Sequence, residues 1–163
     1  MIPLLFILLL FSPLLGGCLD ANEIETLAIV SGLTIDKGSE KNFHVTAELV
    51  GTGSGKENES KPVIVSSEGD TIYDCIKSMK SPDGKRLYLS HCKICVLSAD
   101  ATPNGIRSLV DWSSRDPESR LTMSLLFSEG RAADLFSAPP KSGNTAVSYT
   151  HLSAHQFFLV RHK

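Results

Sequence analysis

The sequence predicts an α/β (α+β) fold, a mixed β-sheet with about three helices packed on it. Three observations carry this. First, Phe43–Val50 alternates Phe43, Val45, Ala47 and Leu49 with His44, Thr46 and Glu48, the period of two expected of a strand with one buried face. Second, this strand follows an apolar, β-branched run, "ETLAIVSGLTID", across the polar turn "DKGSEKN", which reads as an antiparallel hairpin. Third, segments of helical period then alternate with short apolar runs, the pattern of β-α-β crossovers.

In chain order the elements are as follows. Glu25–Asp36 and Phe43–Val50 form the hairpin, and Gly51–Lys61 is a Gly/Ser-rich charged loop. Pro62–Gly69 is a short strand. Asp70 is placed to cap a helix over Thr71–Met79, where Ile72, Cys75, Ile76 and Met79 fall at i, i+3, i+4 and i+7 on one face. "SPDGK" breaks that helix. Arg86–Ser98 reads as a single strand, and Ala101–Ser113 as a second helix with Ile106, Leu109, Val110 and Trp112 as its apolar residues. Ser113–Arg120 is a charged turn fixed by Pro117, and Leu121–Ser128 is a strand. "GRAADLFSAPP" is a short helix stopped by Pro139 and Pro140. The expected order is β-β-β-α-β-α-β-α.

Ahead of these elements, Leu4–Leu15 is an uncharged apolar run interrupted only by Ser12 and Pro13. A bilayer core needs about 20 apolar residues, so the run is too short to span it. It has the length of the apolar region of a secretory signal. Leu15-Gly16-Gly17-Cys18 resembles a bacterial lipobox, in which the peptidase cuts between Gly17 and Cys18 and the Cys18 thiol carries a diacylglycerol. The other reading of Cys18 is an ordinary buried cysteine at the end of a short helix. Met1-Ile2-Pro3 lacks the basic residue usual ahead of such a run. A buried methylene is worth about 0.8 kcal/mol, and one acyl chain holds a protein only reversibly, so two chains make a stable anchor. Residues 1–17 are therefore expected to be a lipoprotein signal peptide and 18–140 a single extracytoplasmic domain.

The composition limits the possible partners. With a net charge of −2 there is no basic footprint for nucleic acid and no polybasic membrane patch. Beyond Cys18, three cysteines remain, an odd number that no intramolecular disulfide framework absorbs. Cys92 and Cys95 have a metal-ligand spacing, but no second pair exists. On one strand, residues three apart would point to opposite faces. No metal and no cofactor are expected, apart from the covalent lipid on Cys18. Ser90 and His91 would likewise face apart, which is not nucleophile–base geometry. "GTGSG" lacks the Lys-Ser/Thr and the helix of a phosphate loop. No catalytic residues are assigned, and the chain is not expected to be an enzyme. The densest charged constellation is Arg115, Asp116, Glu118 and Arg120 around Pro117. It reads either as a solvated turn whose aspartate caps something, or as a partner-facing or structural salt-bridge knot.

Taken together, "LDANEIETLAIVSGLTIDKG", "SSEGDTIYDCIKSM", "RLYLSHCKICVLS" and "SSRDPESRLTMSLLFSEGRAADLF" resemble, in order and spacing, the N-terminal part of the Ger(x)C family of spore germination lipoproteins. The resemblance covers roughly Gly17 to Phe136. Cys18-Leu19-Asp20 departs from the family's usual tryptophan after the cysteine. The resemblance implies a non-catalytic C subunit of a nutrient germinant receptor. It would be lipid-anchored on the extracytoplasmic face of the spore inner membrane, beside a polytopic A subunit and a permease-like B subunit. It also implies further α/β domains after this one. A reading from another class is a solute-binding lipoprotein of a transport system, which would call for two lobes and a cleft.

The last segment breaks the pattern. "VSYTHLSAHQFFLVRHK" carries three of the five histidines and no continuing domain signal. Val147–Leu152 is also what an in-frame transposon-end adapter encodes. Residues 141–163 are therefore expected to be an unstructured or non-native tail that packs poorly, with its histidines forming no metal site.

Overall fold

The computed structural model describes residues 26–51, 62–119 and 123–137, together with the backbone of 159–160. The signal segment, Gly17, Cys18, Arg120, most of the Gly51–Lys61 loop and the tail histidines lie outside the described residues.

The elements are β1 (Leu27–Lys37), β2 (Phe43–Leu49), β3 (Val63–Gly69), α1 (Ile72–Ser78), β4 (Arg86–Tyr88), β5 (Ile94–Ser98), α2 (Thr102–Arg115), β6 (Ser124–Ser128), α3 (Asp134–Ser137) and β7 (Leu159–Val160). They build one mixed sheet in the order β3-β2-β1-β5-β6-β7, with β4 beside β1. β1–β2 and β2–β3 are antiparallel, as the hairpin reading expects. β1, β5 and β6 run parallel, and β7 adds a two-residue parallel pairing at the far edge, within the segment expected to be a tail.

The predicted strand Arg86–Ser98 is two strands. β1 is long enough to serve two parallel neighbours in turn. Leu27, Ala28 and Ile29 pair with β4, whereas Gly32–Ile35 pair with β5. The change coincides with an irregularity in the β1–β2 register between Val30 and Gly32, and such a bulge bends and twists a strand. Between β4 and β5 the chain makes a turn closed by Cys92 N–H donating to Leu89 C=O at 2.8 Å. Cys92 thus sits in the turn and not on a strand face, and it joins the same core cluster as Cys95. The argument from opposite strand faces does not hold for this pair.

The core lies on both faces of the parallel part of the sheet. On one face Leu33, Ile35, Val45, Ala47, Cys95 and Leu97 pack under α1 and α2, which contribute Ile72, Cys75, Ile76, Leu109 and Trp112. On the other, Ile94, Val96 and Leu126 pack under Ala132, Leu135 and Phe136 at α3. Strict alternation along β5 and β6 serves the two clusters.

Two expected details differ. The cap of α1 is Thr71, whose Oγ1 accepts the Asp74 N–H at 3.1 Å, and not Asp70. In α2 the buried residues are Gly105, Leu109, Trp112 and Ser113, while Ile106 and Val110 are exposed. Gly105 lets the helix settle close to β5: a Cβ there would lie 2.8 Å from Leu97 Cδ1. With Gly105, Leu109 and Trp112 turned to the core, Ile106 and Val110 lie on the outward flank of α2. Likewise, Thr46 and Glu48, expected on a polar solvent face, are buried. Ser31 Oγ donates to Glu48 Oε2 at 2.7 Å within that buried row.

Candidate functional site

The charged turn after α2 is built from the end of the helix outward. The Asp116 N–H donates to Trp112 C=O at 3.0 Å and closes the last turn. Pro117 has no N–H, so the chain must leave the helix here. Asp116 Oδ1 then accepts the N–H groups of Glu118 at 2.8 Å and Ser119 at 3.2 Å, an Asx turn that reverses the backbone.

Glu118 fastens this turn to the sheet. Its Oε1 lies 2.9 Å from Arg86 Nη2 on β4, and its carbonyl accepts Ser90 Oγ–H at 3.1 Å. Arg115 instead pairs along its own helix, Nε to Asp111 Oδ1 at 2.9 Å, with both side chains largely exposed. The constellation therefore divides. Asp116 and Glu118 are structural: Asp116 closes the turn, and Glu118 ties it to β4 and the turn after it. Arg115 faces outward. Arg120 lies outside the described residues.

Beside this turn, a cavity of about 460 Å³ opens between α1 and α2, lined by Thr71, Tyr73, Trp112, Arg115, Asp116 and Pro117 among others. Tyr73 is 49% exposed, an aromatic ring off the apolar stripe of α1. Lys77 Nζ lies 3.1 Å from its hydroxyl, and this hydrogen bond raises the Lys77 pKa. Trp112 is buried, and its Nε1 has no hydrogen-bond partner among the described residues. Reading the charged turn alone misses this groove. An exposed tyrosine beside a helical apolar stripe was its one visible sign.

The three described cysteines, Cys75, Cys92 and Cys95, offer no nucleophile. Burial pushes the Cys75 thiol up to about 11, with Asp74 adding to the effect. Burial pushes Cys92 up to about 12 and raises Cys95 as well. All three are free thiols. Thiolate is the reactive form, so such groups are inert at neutral pH. Among the described residues, no group of three His, Cys, Asp or Glu could hold a metal ion. No described helix is long and apolar enough to cross a membrane.

Comparison with known proteins gives a consistent result. Residues 20–156 match the family model for the spore germination protein N-terminal domain, which runs past Phe136, the expected end of the resemblance. Among curated proteins of Bacillus subtilis (strain 168), spore germination protein KC is 28% identical over 141 residues, covering 80% of this chain and 35% of the relative. Spore germination protein B3 is 29% identical over 126 residues, covering 75% of this chain and 33% of the relative. The putative spore germination protein YfkR is 27% identical over 136 residues, 78% of this chain and 35% of the relative. The chain thus spans about a third of the length of these relatives. No solved structure matches. A match over most of the chain, on the segments that carry the sequence resemblance, places this chain in the Ger(x)C family of spore germination proteins.

Proposed function

We propose that the chain acts in spore germination as the N-terminal part of a lipid-anchored germinant receptor subunit. In this reading Cys18 carries the diacylglycerol, and the domain works by assembly with membrane-embedded A-type and B-type subunits and not by catalysis. The observation that supports it most is the family match across residues 20–156, beginning two residues after the lipobox cysteine. The groove between α1 and α2 is the surface assigned to a partner. Tyr73 and Arg115 stand exposed there beside a turn made rigid by Asp116 and Glu118.

The anchor matters through concentration. Tethering a domain to the membrane of its partners converts association into a near-intramolecular event, with an effective concentration of order millimolar for a short linker. The test is Cys18→Ala in spores that otherwise lack the protein. The expected result is loss of fatty-acid labelling, release from the membrane fraction and a failed nutrient response. Wild-type labelling and membrane fractionation in the variant would overturn the anchor. A normal nutrient response in spores without the protein would overturn the germination role.

A further inference from the structure

The strands β1, β5 and β6 run parallel and end side by side, at Lys37, Ser98 and Ser128. In open α/β sheets, ligands sit in the crevice beyond the carboxyl ends of such strands. A cavity of about 520 Å³ opens there, lined by Asp36, Lys37, His44, Glu68, Ser98, Asp100 and Arg131 among others. Its size is that of small-molecule sites, about 300–1,000 Å³. It is at the carboxyl end of the sheet and does not share a lining residue with the groove between α1 and α2.

The chemistry follows from which of these groups are already occupied. Asp36 accepts backbone N–H groups on both oxygens, from Ala132 at 2.6 Å and Ala133 at 2.9 Å. Glu68 accepts on both as well, Oε1 from Ser39 and Oε2 from the Glu40 N–H. These two carboxylates are committed to the protein. The groups left over are mostly donors. Ser98 is 4% exposed and its Oγ has no partner among the described residues, and the same holds for its register neighbour Ser128 on β6, 1% exposed. Lys37 and Arg131 form no ion pair among the described residues. His44 Nδ1 has no partner among the described residues either. Asp36, Glu68 and Asp100 oppose them in charge, the first two with both oxygens taken up by protein donors, and the adjoining crevice, which shares Lys37 and Asp100, adds Lys41 and Arg107 against Asp70.

A buried hydroxyl without a partner gives up its hydrogen bond to water and gets nothing in return. Two of them on adjacent strand ends, with Ser98 lining a cavity rimmed by uncommitted cations, suit a ligand rich in acceptors. We propose that this cavity binds a small oxyanion, a carboxylate or a phosphate, held by Lys37 and Arg131 with Ser98 Oγ–H donating from the floor.

The experiment uses the whole chain in detergent. Its melting temperature is followed against inorganic phosphate and, separately, acetate, with chloride keeping the ionic strength constant. A saturable rise with either anion is expected; a rise with phosphate alone assigns a tetrahedral oxyanion, and with acetate alone a carboxylate. A charge-assisted hydrogen bond contributes about 1.5–3 kcal/mol, so Arg131→Gln and Lys37→Gln should each weaken the apparent affinity about tenfold or more. Lys80→Gln, which does not line the cavity, should leave it unchanged. Ser98→Ala discriminates further: it should weaken anion binding without lowering the melting temperature of the anion-free protein, because the hydroxyl has no partner to lose. Cooperative melting with no saturable shift from either anion overturns the proposal. So does an undiminished shift in the Arg131 and Lys37 variants, or a lowered anion-free melting temperature in Ser98→Ala.

Discussion

Asp36 at the end of β1 and Ala132 before α3 are 96 residues apart in sequence, and the carboxylate of one accepts the backbone N–H of the other at 2.6 Å. The second carboxylate oxygen takes the N–H of Ala133. This one side chain fixes the approach of the last described helix to the sheet, and through it the small core of Leu126, Leu135 and Phe136. Ala132 is fully buried, so its N–H has no water to turn to if the acceptor is lost.

Asp36→Ala should therefore destabilise the domain by about 3 kcal/mol, the scale of one charge-assisted bond plus the cost of a stranded buried donor. Asp36→Asn retains one acceptor oxygen and should lose less. Urea unfolding measures both, and a loss in Asp36→Ala within experimental error of zero would contradict the role.

Gly69 ends β3 where α1 packs against it. A Cβ there would lie 2.8 Å from Cys75 Sγ and 3.0 Å from the Cys75 backbone nitrogen. The sulfur is in a fully buried side chain and the nitrogen is held in the helix, so neither yields cheaply. Gly69→Ala should cost about 1–3 kcal/mol as an overpacking change. Gly84→Ala is the contrast: there is open space around it, but φ is +76°, so any cost there is backbone strain and not a clash.

Glu68 links stability to pH. The Ser39 hydroxyl, and then the backbone N–H groups of Ser39 and Glu40, hold its carboxyl down from 4.5 to about 2. A carboxyl with a lowered folded pKa adds stability that is present above its unfolded value and lost as the pH falls through its folded value. The melting temperature of wild type should exceed that of Glu68→Gln by a constant margin at neutral pH. The margin should shrink below about pH 4.5 and be gone near pH 2. A margin that is unchanged across that range would show that Glu68 contributes no linked proton.

The elements legible in the sequence are those whose apolar residues recur at a clear period. Phe43 to Leu49 and the α1 stripe of Ile72, Cys75, Ile76 and Met79 announce themselves by period, and both fold as read. The split of Arg86–Ser98 is not legible, because it is caused by β1 changing neighbours at Gly32, a long-range event with no local mark. The buried Thr46 and Glu48 mislead for a similar reason. An alternating polar residue says that it differs from its neighbours, not that it meets solvent. At the charged turn, spacing revealed the cluster, but only the fold divides Asp116, which closes the turn, and Glu118, which holds it to β4, from Arg115, which does neither.

That division gives the last prediction. Arg115 and Asp111 are both more than half exposed, and a solvent-exposed pair of this kind is worth about 0–1 kcal/mol. Arg115→Ala should leave stability nearly unchanged. Asp116→Ala removes the acceptor of two backbone N–H groups at a turn that Pro117 prevents from continuing as helix, so a loss of about 1–2 kcal/mol is expected. Glu118→Ala should fall between them, because its ion pair with Arg86 is partly shielded on the glutamate side only. Arg86→Ala and the double variant complete a cycle whose coupling energy should be about 0.5 kcal/mol or more if the bridge fastens the turn to β4. Coupling indistinguishable from zero would make the bridge incidental. A loss in Arg115→Ala as large as that in Asp116→Ala would remove the distinction between the outward-facing arginine and the residues that build the turn.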